Sequence, residues 1–183
     1  MATIPSPATA AVGGKETASG WNTDVRDEAL FWTTNRPIGQ AVQTSAQTGW
    51  TSATFTSITF STEDIDRDGQ HSTSSNTSRF VIGTTLGWYR VSGNYCSAGN
   101  AVATLLRAQI ALNGTAVNGS PNSMNPGASS AIFCVPTFAV FVQATAAADY
   151  VEVQGWMTAA SGTIGTAVSS AFTSALNVEW LGS

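Results

Sequence analysis

Residues 62–72 read TEDIDRDGQHS and gather Glu63, Asp64, Asp66, Asp68 and the only histidine, His71, around Gly69. Alternate carboxylates followed by glycine match the first half of a calcium loop, which takes oxygen ligands at positions 1, 3 and 5, glycine at 6 and a bidentate glutamate at 12. Asp64, Asp66, Asp68 and Gly69 fill the first places, but position 12 is Ser75, and QHSTSSNTS after Gly69 holds no carboxylate. The pattern therefore predicts a polar Asp/Gly turn and no cofactor, with calcium on Asp64, Asp66 and Asp68 as the weaker alternative. Two neighbouring carboxylates could also do acid/base work on a sugar. Nothing else in the chain points to an enzyme. It has one histidine, no Gly-x-Ser-x-Gly elbow, no HExxH, no Gly-rich phosphate loop and no recognisable Cys/His pair.

The elements that must position these residues fall into two groups. The first 15 residues are rich in Pro, Ala, Thr and Gly without periodicity and read as an extended arm. WNTDVRDEALFW then sets Trp21, Val25, Ala29 and Trp32 at helical spacing, with Leu30 and Phe31 beside that stripe. Ser19 or Asn22 is the candidate cap, and Asn35, Arg36 and Pro37 supply the stop. The spacing predicts a short helix over about 21–33, too short to be stable in isolation. Trp21, Val25, Leu30, Phe31 and Trp32 are thus candidates for docking on a partner, and residues 1–44 read as an attachment segment. Beyond Pro37 short apolar runs recur between Gly, Asn, Ser and Pro: 49–60, 78–82, 87–98, 102–112, 116–120, 131–144, 149–158 and 170–182. Such spacing predicts an all-β sandwich or barrel over 45–183. Alternation puts Tyr89, Val91, Gly93 and Tyr95 on one face and Trp88 on the other; Phe172, Ser174, Leu176, Val178 and Trp180 share a face likewise. Asn113-Gly114 is the strongest hairpin signal.

Charged residues make up only 10% of the chain, at a net charge of −4 and without a basic cluster, which argues against nucleic-acid binding. No apolar run of about 18 residues is present, so no membrane-inserted helix is expected. The N-terminus lacks the pattern of a secretory signal. Cys96 and Cys134, 38 residues apart, match no metal spacing; buried free thiols are expected, with a disulfide as the alternative.

The order GWTSATFTSITFSTEDIDRDGQHSTSSNTSRFVI, LGWYRVSGNY, RAQIALNGTAV, DYVEVQGW and AFTSALNVEWLG resembles the trimeric jelly roll of the complement globular head and tumour necrosis factor group. It resembles most the version found in structural proteins of tailed bacteriophages that infect actinobacteria. The resemblance covers about 45–183, with Ala148 standing where that family carries a glycine before Asp149. TASGWNTDVRDEALFWTTNRP is similar to the opening of many phage virion proteins. The resemblance implies a homotrimer on the virion surface, made in the host cytoplasm. It also implies that the acidic stretch and His71 form a connection near the trimer interior, where a threefold axis could complete a calcium site.

With six Trp and eight Phe, the chain holds more large apolar residues than a monomer of this size must hide. With no shaft repeat, a capsid decoration (minor capsid) protein gripping the major capsid protein is the expected reading. The alternative is a minor tail or baseplate adhesin that binds a host cell-surface glycan or receptor. His71, Trp88, Trp50 and Trp156 are the candidate trimer or glycan contacts.

Overall fold

The structure, a computed structural model, describes residues 17–21, 25–99, 101–129 and 131–183. The expected arm over 1–15 and the cap at Asn22 lie outside them. Eleven strands form two antiparallel sheets. The first runs β3 (Thr62–Asp66), β1 (Ile38–Val42), β11 (Ala175–Gly182), β4 (Gly87–Cys96). Along the far edge of β4 lie β8 (Cys134–Pro136) and β9 (Val140–Ala144), pairing with its second and first halves respectively. The second sheet runs β2 (Thr56–Ser57), β10 (Val151–Ala159), β5 (Ala103–Leu112), β6 (Thr115–Ala116), with β7 (Asn122–Met124) also on β5. Strands β1, β4, β5, β8, β9, β10 and β11 each carry buried residues, and the short edge strands β2, β3, β6 and β7 each pair with one of them, as half-buried alternation requires.

The core forms between the sheets. Tyr89, Val91 and Tyr95 of β4 and Leu176, Val178 and Trp180 of β11 pack in one cluster with Leu106, Ala108 and Ile110 of β5 and Val151, Val153 and Met157 of β10. Burying each large apolar side chain contributes about 1.5–3 kcal/mol. Gly155 lets the two layers approach: a Cβ there would lie 2.7 Å from the Tyr95 ring and 2.9 Å from Trp50. The β5–β6 hairpin turns at Asn113-Gly114 with φ of 51° and 78°, as the dipeptide predicts for a two-residue turn. Ala148 is not in the left-handed region, so the turn places no demand for glycine there. The turn is held instead by Asp149, whose Oδ2 accepts the amides of Thr145 and Ala146 (2.7 and 2.8 Å) and whose Oδ1 accepts Asn113 Nδ2 (2.8 Å).

Several sequence expectations change. The domain boundary expected at 44/45 moves back: Ile38–Val42, assigned to the arm, is β1, paired on both sides in the first sheet. Run 49–60 yields only β2, and run 131–144 divides after Pro136, with residues 137–139 between β8 and β9. Phe172 is exposed, because β11 begins only at Ala175. Cys96 and Cys134, expected as free thiols, are joined in a disulfide, because β8 lies along β4 with these two residues directly opposite.

The helix expected over 21–33 is present and extends past both bounds: among the described residues it comprises α1 (Ala18–Trp21), π winding at Val25 and Arg26, α2 (Asp27–Leu30) and a π-helical turn over Phe31–Asn35. Thr17, not Ser19, caps α1, its Oγ1 accepting the Gly20 amide (3.1 Å). Wider π winding breaks the 3.6-residue period, so Phe31, off the expected stripe, is the buried residue (2% exposed). It packs edge-on against Trp180 with ring centroids 5.2 Å apart, and Trp32 leans on the same ring at 5.5 Å. Trp21, Val25, Leu30 and Trp32 remain exposed.

Candidate functional site

The acidic stretch runs along β3 and then turns at Gly69, which has φ of 62°. Its aspartates have separate tasks. Asp64 is exposed on the strand. Asp66 caps the turn, its two oxygens accepting the amides of Gln70 (2.8 Å) and His71 (3.0 Å). Asp68 is buried, and its Oδ2 accepts the hydroxyls of Thr84 (3.0 Å) and Thr85 (2.9 Å). Next to it Gln70 Nε2 donates to the Tyr89 hydroxyl (3.0 Å), which donates to the Thr85 carbonyl (2.7 Å). Burial holds the Tyr89 phenol well above its usual range, opposed by the Gln70 hydrogen bond and reinforced by the Asp68 charge.

His71 lies inside the subunit rather than at an open loop. Its Nε2 donates to the Thr77 carbonyl (3.0 Å), a group that only accepts, and Nδ1 meets Glu63 Oε1 at 2.9 Å. Its ring packs near Phe80 and Phe60, at centroid distances of 5.1 and 6.3 Å. Among the described residues no group of three or more His, Cys, Asp or Glu side chains is placed to hold a metal. The chemistry of the stretch is that of a hydrogen-bonded brace between β3 and the segment leading into β4.

The tryptophans separate by depth. Trp50 stacks on Tyr95 (5.5 Å, 22°) and packs against the core. Trp156 occupies the outer face of the second sheet, under the guanidinium of Arg107 at 4.6 Å. Trp88 lies on the outer face of the first sheet, 45% exposed, as its parity predicts.

Trp88 is one of several apolar residues on that outer face. It faces Gln143 of β9 and Gly182 of β11, which makes Phe141, 65% exposed, its diagonal neighbour. Leu181 bulges out between Trp180 and Gly182, beside Trp88. Leu86 and Phe138, both exposed, precede β4 and β9. A polar row borders the patch: Glu179 receives Arg36 at 2.9 Å and Arg90 at 3.9 Å, and Gln40 Nε2 donates to Asn177 Oδ1 at 2.7 Å. Single exposed apolar residues are ordinary, whereas a contiguous set with a polar rim marks an interaction surface. Sequence parity identified Trp88. Phe141 and Leu181 were hidden because their exposure depends on how β9 and the β11 bulge lie against β4.

No protein-family model and no curated protein matches the chain. Solved structures do. The globular domain of zebrafish complement 1qA protein superposes with a TM-score of 0.52 at 12% identity, covering 80% of this chain and 98% of that one. Murine APRIL superposes with a TM-score of 0.54 at 11% identity, covering 79% of this chain and 98% of that one. The fold is the complement-head and tumour necrosis factor jelly roll. At such identities the likeness concerns architecture alone. No helix among the described residues is long and apolar enough to cross a membrane.

Proposed function

We propose that the chain is a non-enzymatic structural protein that forms a homotrimer through the outer face of its first sheet and decorates the surface of a tailed-phage capsid. The apolar patch of Trp88, Phe141 and Leu181 carries this reading, because a closed threefold contact gives such a face a self-complementary cover. A specific contact of this kind buries more than about 1,000 Å². The virion assignment draws on the resemblance of GWYRVSGNY, RAQIALNGTAV and the Trp-Asn, Val-Arg-Asp segment to phage structural proteins. Trp21, Val25, Leu30 and Trp32, exposed around the buried Phe31, are the contacts assigned to the major capsid protein. Synthesis in the host cytoplasm followed by assembly on the shell goes with this role.

Immunogold labelling of virions of the phage that encodes the chain tests the proposal. Label over the head is expected. Label confined to the tail would replace decoration with the adhesin reading, and absence from particles would overturn both.

A further inference from the structure

The outer face of the second sheet carries a second site. In one cross-strand row Trp156 of β10 stands opposite Arg107 of β5, which stands opposite Ser123 of β7. In the next, Gln109 stands opposite Gln154, and Gln154 opposite Ser57. Phe55, Arg107, Gln109, Pro121, Asn122 and Ser123 line a cleft of approximately 360 Å³, within the size range of small-ligand sites.

Three features of the lining define its chemistry. First, Arg107 makes no ion pair or hydrogen bond through its guanidinium among the described residues, whereas Arg26, Arg36, Arg79 and Arg90 each meet a carboxylate. Stacking on Trp156 orients the guanidinium and leaves its N–H edge, a fork that fits a carboxylate with two parallel hydrogen bonds. Second, Gln109 is buried and fixed: its Nε2 donates to Gln154 Oε1 (2.8 Å), Gln154 Nε2 to Ser57 Oγ (3.4 Å), and Ser57 Oγ to Glu152 Oε2 (3.0 Å). That relay takes one of the two N–H groups of the amide and fixes its orientation, leaving the Gln109 carbonyl as an acceptor for a ligand hydroxyl. Third, Phe55 and Pro121 supply apolar walls of the kind on which the C–H face of a pyranose rests. A single cation among uncharged polar groups and apolar walls suits a monoanionic sugar. It is too little for a phosphate dianion in a chain of net charge −4.

We propose that this cleft binds a hexuronic acid residue of a saccharide, with the carboxylate on Arg107, hydroxyls on Gln109 and Ser123, and the ring face against Phe55. The site does not depend on the virion assignment and would serve a protein on head or tail equally.

Saturation-transfer NMR on the full chain tests it, with the methyl glycosides of glucuronic and galacturonic acid as probes and methyl glucoside and galactoside as neutral counterparts. The acids are expected to bind with roughly millimolar dissociation constants. The neutral sugars should bind at least about tenfold more weakly, since they forgo the charge-assisted pair. R107Q should lose the same factor for the acids alone, and F55A should weaken all four, with melting midpoints recorded to verify folding. Equal binding of acids and neutral sugars by the wild-type chain would overturn the proposal whatever the variants do. So would equal binding of the acids by wild type and folded R107Q, or no transfer to either acid.

Discussion

Asp66, Asp68 and Asp149 show how this chain uses carboxylates: Asp66 and Asp149 accept backbone amides and fix turns, and Asp68 accepts the hydroxyls of Thr84 and Thr85 and ties the Gly69 turn to the segment before β4. Two of them sit in a stretch whose spacing resembles a calcium loop, yet their partners are protein donors. Asp66→Ala strands two turn amides and is expected to cost about 1–2 kcal/mol in chemical denaturation. Chelator or added calcium should leave the melting midpoint unmoved, because a ligand of the folded state alone would raise it; a fall of many degrees on chelation would assign the aspartates to an ion. Asp149 gives a pH test. The Asn113 hydrogen bond, followed by the Thr145 and Ala146 amides, lowers its pKa below the usual carboxylate value of about 4. A depressed folded value means that its stabilisation is full above the unfolded pKa and is lost as pH falls through the folded one. Wild type should therefore melt well above Asp149→Ala near neutral pH, and the two midpoints should converge in acid. A gap that persists at the lowest pH would refute this role.

At the scale of elements, legibility followed the size of the inward side chains. Strands β4, β5, β10 and β11 place large apolar residues at alternate positions and were read from the sequence to within a few residues. Strand β1 was missed because its buried positions are Gly39 and Ala41, small where the Phe80 ring presses in: a Cβ on Gly39 would lie 2.3 Å from it. The helical segment was misjudged at its face, since one π turn redirects Phe31 to Trp180. The Cys96–Cys134 pairing was illegible because a 38-residue spacing says nothing of register, which is set when β8 aligns on β4. Replacing both cysteines by serine is expected to lower stability by about 2–4 kcal/mol, read from denaturant midpoints at an unchanged slope. A loss below about 0.5 kcal/mol would mean that the ladder alone holds this edge. The candidate faces were half legible: parity gave Trp88, while the Arg107 cleft required β7 and Phe55 to be placed around β5.

For the whole molecule, two sheets with one buried interlayer still leave Trp88, Phe141 and Leu181 uncovered on one side and the Arg107 cleft on the other. In the proposed reading the first face takes copies of the same chain and the second a small ligand, so assembly and recognition need not compete. The most direct test is the mass of the full chain by light scattering at micromolar concentration, for wild type and for Phe141→Glu. Wild type is expected at three times 18.9 kDa and the variant, with a charge set in the centre of the seam, at 18.9 kDa with its fold intact by circular dichroism. A monomeric wild type, or a folded variant that remains trimeric, would contradict assembly through this face.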